Sequence, residues 1–215
     1  MSKHTVPEAR VPKTLRIGVL ASHAGSLFQV LADASKRGDL NAEIAVLISN
    51  NSRCGAIRRA GALNIPTCHL SGKTHPDPDQ LDAAILNTLM RYEIDFIVLA
   101  GYMKQLGPQV LTYFMDRIIN THPALLPLHG GQGMYGRRVH QAVLDSGAAE
   151  SGVTIHRVVA DYDTGPILAQ SRVPVLPNDR VEDLELRVKE AERALLLETV
   201  AECLLKLSEE KTRSS

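Results

Sequence analysis

At 215 residues and 23.4 kDa, the chain has room for one substantial core and too little for two ordinary domains. Hydrophobic residues make up 44% and charged residues 22%, the balance of a soluble globular protein. Lys plus Arg equals Asp plus Glu at 24 each, which leaves no bulk electrostatic footprint for nucleic acid. No apolar run approaches the roughly 20 residues needed to span a bilayer. Cys54, Cys68 and Cys203 are scattered and show no CxxC or other metal spacing, so reduced thiols and a cytoplasmic location are expected. Residues 1–14 are polar, carry Pro7 and Pro12, and lack an apolar signal region, which reads as a flexible leader.

From residue 15 the chain alternates short apolar runs with helical periodicity. Arg16 to Ala21 reads as a strand, Ser22 to Ser26 as a tight turn, and Phe28 to Ala34 as the helix that follows. A second strand is expected at Glu43 to Ile48, a short helix at Ala56 to Leu63, and a short strand at Thr67 to Leu70. The loop Ser71 to Pro78 holds two prolines and a glycine, and Asp79 is expected to cap an amphipathic helix ending at Tyr92. Asp95 to Ala100 is the clearest strand, closed by the loop Gly101 to Pro108. Arg117-Ile118-Ile119 opens a short buried strand that stops at Asn120-Thr-His-Pro-Ala-Leu-Leu-Pro127. Strands alternating with helices imply a mainly parallel, Rossmann-like α/β sheet.

The pattern changes after residue 127. Leu128 to Arg138 is a glycine-rich loop, Val139 to Asp145 a short helix, and Val153 to Val159 and Ile167 to Val175 are strands expected to join the sheet antiparallel. Asp179 is expected to cap a final helix running to about Leu207, followed by a frayed charged tail at 208–215. Residues 15–207 thus read as a single domain.

Three strand-end loops gather on one edge of such a sheet: Ser22–Ser26, Gly101–Leu106 and Asn120–Pro127. Gly25 and Ser26 precede a helix whose first N–H groups suit an anion, although Gly-Ser in that position is also an ordinary cap. Asn120 and His122 stand at i and i+2 on an extended segment and so face one side. The amide has the chemistry to meet a developing oxyanion and the imidazole to hold or move a proton, while a buried, backbone-satisfied histidine is the alternative. Asp163, in the Gly-Pro-bounded loop Asp161 to Pro166, has the reach to orient His122 or a water; its alternative is a turn residue. His156 alternates with the apolar face of its strand and is expected to support the site from behind, as is Pro123. His122, His129 and His140 are spaced at 7 and 11 residues, which matches no common metal-ligand set, so no metal is expected. A Ser-His-Asp hydrolase is disfavoured because no Gly-x-Ser-x-Gly elbow occurs.

Asn120-x-His122-Pro-x-Leu-Leu-Pro127, followed about forty residues later by Asp163-x-Gly-Pro166, resembles the folate-dependent formyltransferases. The resemblance covers about Leu15 to Leu205 and includes Val98-Leu-Ala-Gly-Tyr-Met103, Gly133-Met-Tyr-Gly136 and Pro174-Val175. Within the family it points to the branch that formylates the amine of glycinamide ribonucleotide from 10-formyltetrahydrofolate, in purine synthesis. It implies small-molecule partners only, no nucleic acid or membrane, and it allows a homodimer. Carried over, Asn120 would hold the formyl oxygen, His122 would stabilise the charge or relay a proton, and Asp163 would tune His122 and place a water. Gly25, Ser26 and Leu27, with Lys189 and Glu192, would bind the ribonucleotide. Tyr102, Met103, Lys104, Gln105 and Leu106, with Asn120, Val159, Asp161 and Tyr162, would line the folate pocket. The chain departs from the family pattern at Leu27, where Asn is usual, at Lys104, where Arg is common, and in its glycine-rich loop Gly130–Gly136. Formylation of a sugar amine, or a non-catalytic folate- or nucleotide-binding role, are the alternatives.

Overall fold

The structure, a computed structural model, describes residues 14–213, so the expected leader falls outside it except for Thr14. The strands are β1 (Leu15–Leu20), β2 (Ala42–Ser49), β3 (Thr67–His69), β4 (Phe96–Leu99), β5 (Ile118–His122), β6 (Glu150–Arg157) and β7 (Ile167–Pro174). The helices are α1 (Ser26–Arg37), α2 (Gly55–Ala62), α3 (Pro78–Arg91), α4 (Pro108–Tyr113), α5 (Arg137–Asp145) and α6 (Val181–Arg213). One seven-stranded sheet runs in the order β3-β2-β1-β4-β5-β6-β7. Its first five strands are parallel, and β6 and β7 add antiparallel, as the sequence pattern predicts.

Helices cover both faces of the parallel part, which is why its strands read as continuous apolar runs and do not alternate. On one face Ile17, Val19, Phe96, Val98 and Ile119 pack with Phe28 and Leu31 of α1 and with Leu196 and Val200 of α6. On the other, Leu20, Ile48, Ile97, Leu99 and Ile118 meet Ile85 and Leu89 of α3, Val110 of α4 and Phe114 just past its end. A smaller cluster, Val143, Val153, Val173, Leu184 and Val188, seats α5 and the start of α6 on β6 and β7.

Helix ends differ from the sequence expectation in three places. Asp77, not Asp79, caps α3, its carboxylate accepting from the N–H groups of Asp79 and Gln80 at 2.8 and 3.4 Å. Pro78 occupies the first helical position, where its missing N–H costs nothing. At the start of α6, Asp179 accepts instead from the Leu176 N–H at 2.8 Å and pairs with Arg187. Asp183 takes over the local capping and accepts from the Arg180 N–H at 3.0 Å. The last helix continues to Arg213, past the expected fraying point at Ser208, and Lys211 there pairs with Asp95 at the foot of β4. The short helix α4 has no periodicity of its own and is not apparent from the sequence.

Thr154 of β6 fixes the turn that leaves β5. Its hydroxyl donates to the Ala124 carbonyl at 2.7 Å and accepts from the Leu126 N–H at 3.0 Å and the Gln170 amide at 2.9 Å. The side chain is fully buried, so no water replaces it. Thr154→Val keeps the shape and strands the Ala124 and Leu126 backbone groups. At about 1–3 kcal/mol for an orphaned buried group, the variant is expected to lose about 2–4 kcal/mol in urea unfolding; a loss under about 0.5 kcal/mol would contradict this reading.

Candidate active site

Strand order reverses beside β1: the chain moves outward from β1 to β3 and then crosses over to β4. Loops leaving β1 and β4 therefore splay apart at their carboxyl ends and open a crevice, the usual ligand site of such sheets. A cleft of about 570 Å³ lies there, lined by Gly25, Ser26, Leu27, Met103, His122, Pro123, Lys189 and Glu192 among others. A slot of about 60 Å³ adjoins it, lined by Gln105, Leu106, His156, Val159 and Asp161. Tyr102, Lys104, Asn120, Tyr162 and Asp163 border both spaces.

The chemistry collects at that border. β5 and β6 pair antiparallel with Asn120 opposite His156, so the two side chains emerge together on the same face. The Asn120 amide nitrogen lies 3.1 Å from His156 Nε2 and 3.5 Å from Asp163 Oδ1. His156 Nδ1 donates to the Arg157 carbonyl at 2.9 Å, and its Nε2 stands 3.4 Å from Asp163 Oδ1. His156 thus touches both Asn120 and Asp163 directly, closer in than the supporting position expected from its sequence pattern. Pro123 lines the cleft itself.

His122 is 3% exposed. Its Nε2–H donates to the His129 carbonyl at 2.8 Å, which turns Nδ1 toward Asp163 Oδ2 at 3.4 Å. Burial lowers the basicity of His122; Asp163 and the His129 carbonyl oppose that without cancelling it. At Asp163 burial pushes the carboxyl up, but the His156 hydrogen bond, the Gly131 N–H at 2.9 Å and the two imidazoles outweigh it and hold the group below the ordinary carboxylate range. The site at rest is therefore an anionic Asp163 facing a largely neutral His122.

Asp163 reaches this position because its loop folds back sharply. Its own backbone is left-handed, with φ of 56°. Gly165 presses on the end of β6, where an added Cβ would stand 1.9 Å from the Arg157 carbonyl oxygen, so only glycine fits.

The far wall of the cleft is the N-terminus of α1. Gly25 caps it in the left-handed region (φ 73°) with no side-chain cap, and the first helical bond is Gln29 N–H to the Gly25 carbonyl at 3.0 Å. Gly25, Ser26 and Leu27, at this helix start whose first N–H groups lack partners within the helix, line the cleft. Leu27 turns into the core and is 8% exposed, so at this position only the backbone faces the cleft. Opposite stand Lys189, paired with Glu185 at 2.5 Å, and Glu192, which accepts from the Thr121 hydroxyl at 2.6 Å. Burial pushes the Glu192 carboxyl up.

Sequence reasoning misses several lining groups. Thr121 is one, since nothing near it in sequence marks a partner 71 residues away. His140 is another: it is 2% exposed, it borders the cleft, and its Nδ1 has no hydrogen-bond partner. Burial lowers its basicity against the pull of Glu185.

A model of the formyl transferase family matches residues 15–200. The chain is 43% identical over 197 residues to the chloroplastic phosphoribosylglycinamide formyltransferase of Vigna unguiculata, covering 90% of this chain and 63% of that protein. It thus spans less than two thirds of that relative's length. The phosphoribosylglycinamide formyltransferase of Mycobacterium tuberculosis is 41% identical over 197 residues, covering 89% of this chain and 87% of that one. A crystal structure of glycinamide ribonucleotide transformylase 1 from Geobacillus kaustophilus superposes with a TM-score of 0.81 at 37% identity, covering 87% of this chain and 97% of that one. With the family model spanning the whole sheet, and relatives this similar along most of the sequence, the chain belongs to the formyl transferase family.

Proposed function

We propose that the protein transfers a formyl group from 10-formyltetrahydrofolate to the amine of glycinamide ribonucleotide, a step of purine synthesis. The observation that carries this reading is the pair of adjoining spaces that share Asn120 and Asp163 as a common border. Two ligands seated in them meet at one amide, one imidazole and one carboxylate, the geometry of a direct transfer between bound partners. The relatives' names support the acceptor and the formyl group, and the resemblance to folate-dependent formyltransferases supplies the donor. The free thiols Cys54, Cys68 and Cys203 fit a reducing compartment such as the cytoplasm.

In this reading the slot beside Gln105, Leu106 and Val159 takes the pterin of the donor. The α1 cradle takes the ribonucleotide phosphate through the backbone at Gly25, Ser26 and Leu27, while Lys189 and Glu192 meet the ribonucleotide from α6. The amine attacks the formyl carbon, a C–N bond forms, and the formyl oxygen becomes an oxyanion held by the Asn120 amide. The amine proton passes to His122 Nδ1, or through a water held by Asp163, and then to N10 of the folate as the C–N10 bond breaks. Asp163 is already anionic, so it stabilises the imidazolium at the moment it forms. No covalent enzyme intermediate is needed, and the folate is a consumed co-substrate.

Release of tetrahydrofolate from the 10-formyl donor with glycinamide ribonucleotide tests this directly. Turnover is expected with the ribonucleotide; turnover with a sugar amine alone would move the acceptor assignment, and no turnover with either would remove the enzymatic reading. His122→Ala and Asp163→Asn are each expected to lower kcat/KM by about 10²–10⁴-fold, the range for a positioned proton-transfer group. Asp163→Asn retains an oxygen for the Gly131 N–H, which separates charge from loop anchoring.

The pH profile follows from the direction of the His122 shift. A lowered pKa means that the neutral ring is already present near neutrality, and protonation from the acid side removes the acceptor for the amine proton. The substrate amine must also be free, and such amines titrate near about 8. With chemistry limiting, kcat/KM is expected to fall on the acid side, below the ordinary imidazole range, as His122 gains its proton, and to rise further as the amine deprotonates near about 8; a profile with no acid-side loss would overturn the role given to His122.

A further inference from the structure

A carboxylate sits within the buried stripe of α3. Asp82 lies in line with Ile85 and Leu89 at helical spacing and is 3% exposed, a position where a charge is costly unless its oxygens are met. They are met by α4. Asp82 Oδ2 accepts from the Gln109 N–H at 2.7 Å, and Oδ1 accepts from the Val110 N–H at 3.3 Å. These are the first two N–H groups of α4, because Pro108 has none. The residue that would ordinarily supply a capping side chain is Gly107, which has none to give. A Cβ there would stand 2.2 Å from the Asp82 carboxyl carbon. Glycine at 107 and aspartate at 82 therefore form one joint: the cap of α4 comes from a different helix.

The segment between β4 and α4, residues 101–107, carries Tyr102, Lys104, Gln105 and Leu106 on the wall of the slot. Its front end is tied to the loop after β1: Ser22 N–H donates to the Gly101 carbonyl at 3.0 Å, and the Ser22 hydroxyl accepts from the Met103 N–H at 2.8 Å. Its rear end is held to α3 by the Asp82 joint at Gly107–Val110, beside which the Gln109 side-chain amide donates to the Asp79 carbonyl at 3.4 Å. Between the two ends, the Gln105 amide donates to the Ala160 carbonyl across the slot.

We infer that Asp82 is the positioning residue for the formyl-donor pocket: it sets the rear anchor of the 101–107 segment and thereby the width of the slot. It touches neither reacting group and acts through α4. The inference rests on the slot being the donor's site.

The test compares Asp82→Asn, which is isosteric and keeps one acceptor oxygen, with Asp82→Ala. Three readouts are taken: amide hydrogen exchange across residues 102–106 without ligand, binding of tetrahydrofolate without turnover, and separate KM values for the formyl donor and the ribonucleotide. Misplacing a site by about 1 Å costs up to about 10²-fold. Asp82→Asn is accordingly expected to raise the donor KM by about tenfold, leave the ribonucleotide KM within about twofold, and speed exchange at 102–106. Asp82→Ala is expected to exceed it in all three; if it does not fold, the asparagine variant decides alone. An unchanged donor KM with unchanged exchange, or donor and acceptor KM rising together, would overturn the inference. Wild-type protein that binds no tetrahydrofolate would overturn the function proposed above instead, while the exchange data would still report whether Asp82 orders the segment.

Discussion

The carboxylate of Asp163 is the contact on which the site depends. It stands 3.4 Å from His122 on one side and 3.4 Å from His156 on the other, and it accepts from the Gly131 backbone. Those groups come from β5, from β6 and from the glycine-rich loop, so one side chain ties three separate segments together. A carboxylate at 10% side-chain exposure is held as an anion against the cost of burial chiefly by its hydrogen bonds with His156 and the Gly131 N–H. Its charge then offers a buried, neutral His122 a reason to accept a proton during the reaction and not before it.

The sheet explains why these segments are neighbours at all. Turning β6 antiparallel to β5 sets His156 beside Asn120, and it sends the following loop back over the same edge with Asp163 in it. A parallel β6 would have carried that loop to the opposite edge. The topological switch beside β1 supplies the crevice, and the antiparallel addition supplies the chemistry within reach of it.

Around this centre the walls are held by contacts that play no part in bond making. Thr154 fixes the turn after β5, Ser22 fixes the front of the segment after β4, and Gly165 allows the Asp163 loop to lie against β6. Each meets a buried backbone group that would otherwise be orphaned, or fits where a larger residue would not. The long helix α6 spans the domain: Glu192 meets Thr121 at the cleft, and Lys211 meets Asp95 at the opposite end of the sheet.

Much of this was legible along the chain. Apolar runs and helical spacing located every strand and most helices, because burial on both faces of a parallel sheet leaves a continuous signal. The i, i+2 spacing of Asn120 and His122 determined that they share a side, since successive side chains on a strand alternate whatever the strand packs against. Local sequence could not rank His156 above a supporting role, pair Thr121 with Glu192, assign the cap of α4 to Asp82, or choose Asp77 over Asp79. Those outcomes depend on strand register, on distances across 28 to 71 residues, and on which of two neighbouring carboxylates the backbone turns toward the helix. Chain order is enough to say which chemical groups stand at the ends of which strands. Which of them meet follows from the packed sheet, because hydrogen bonds and pKa shifts act over a few ångströms of space while sequence records only order.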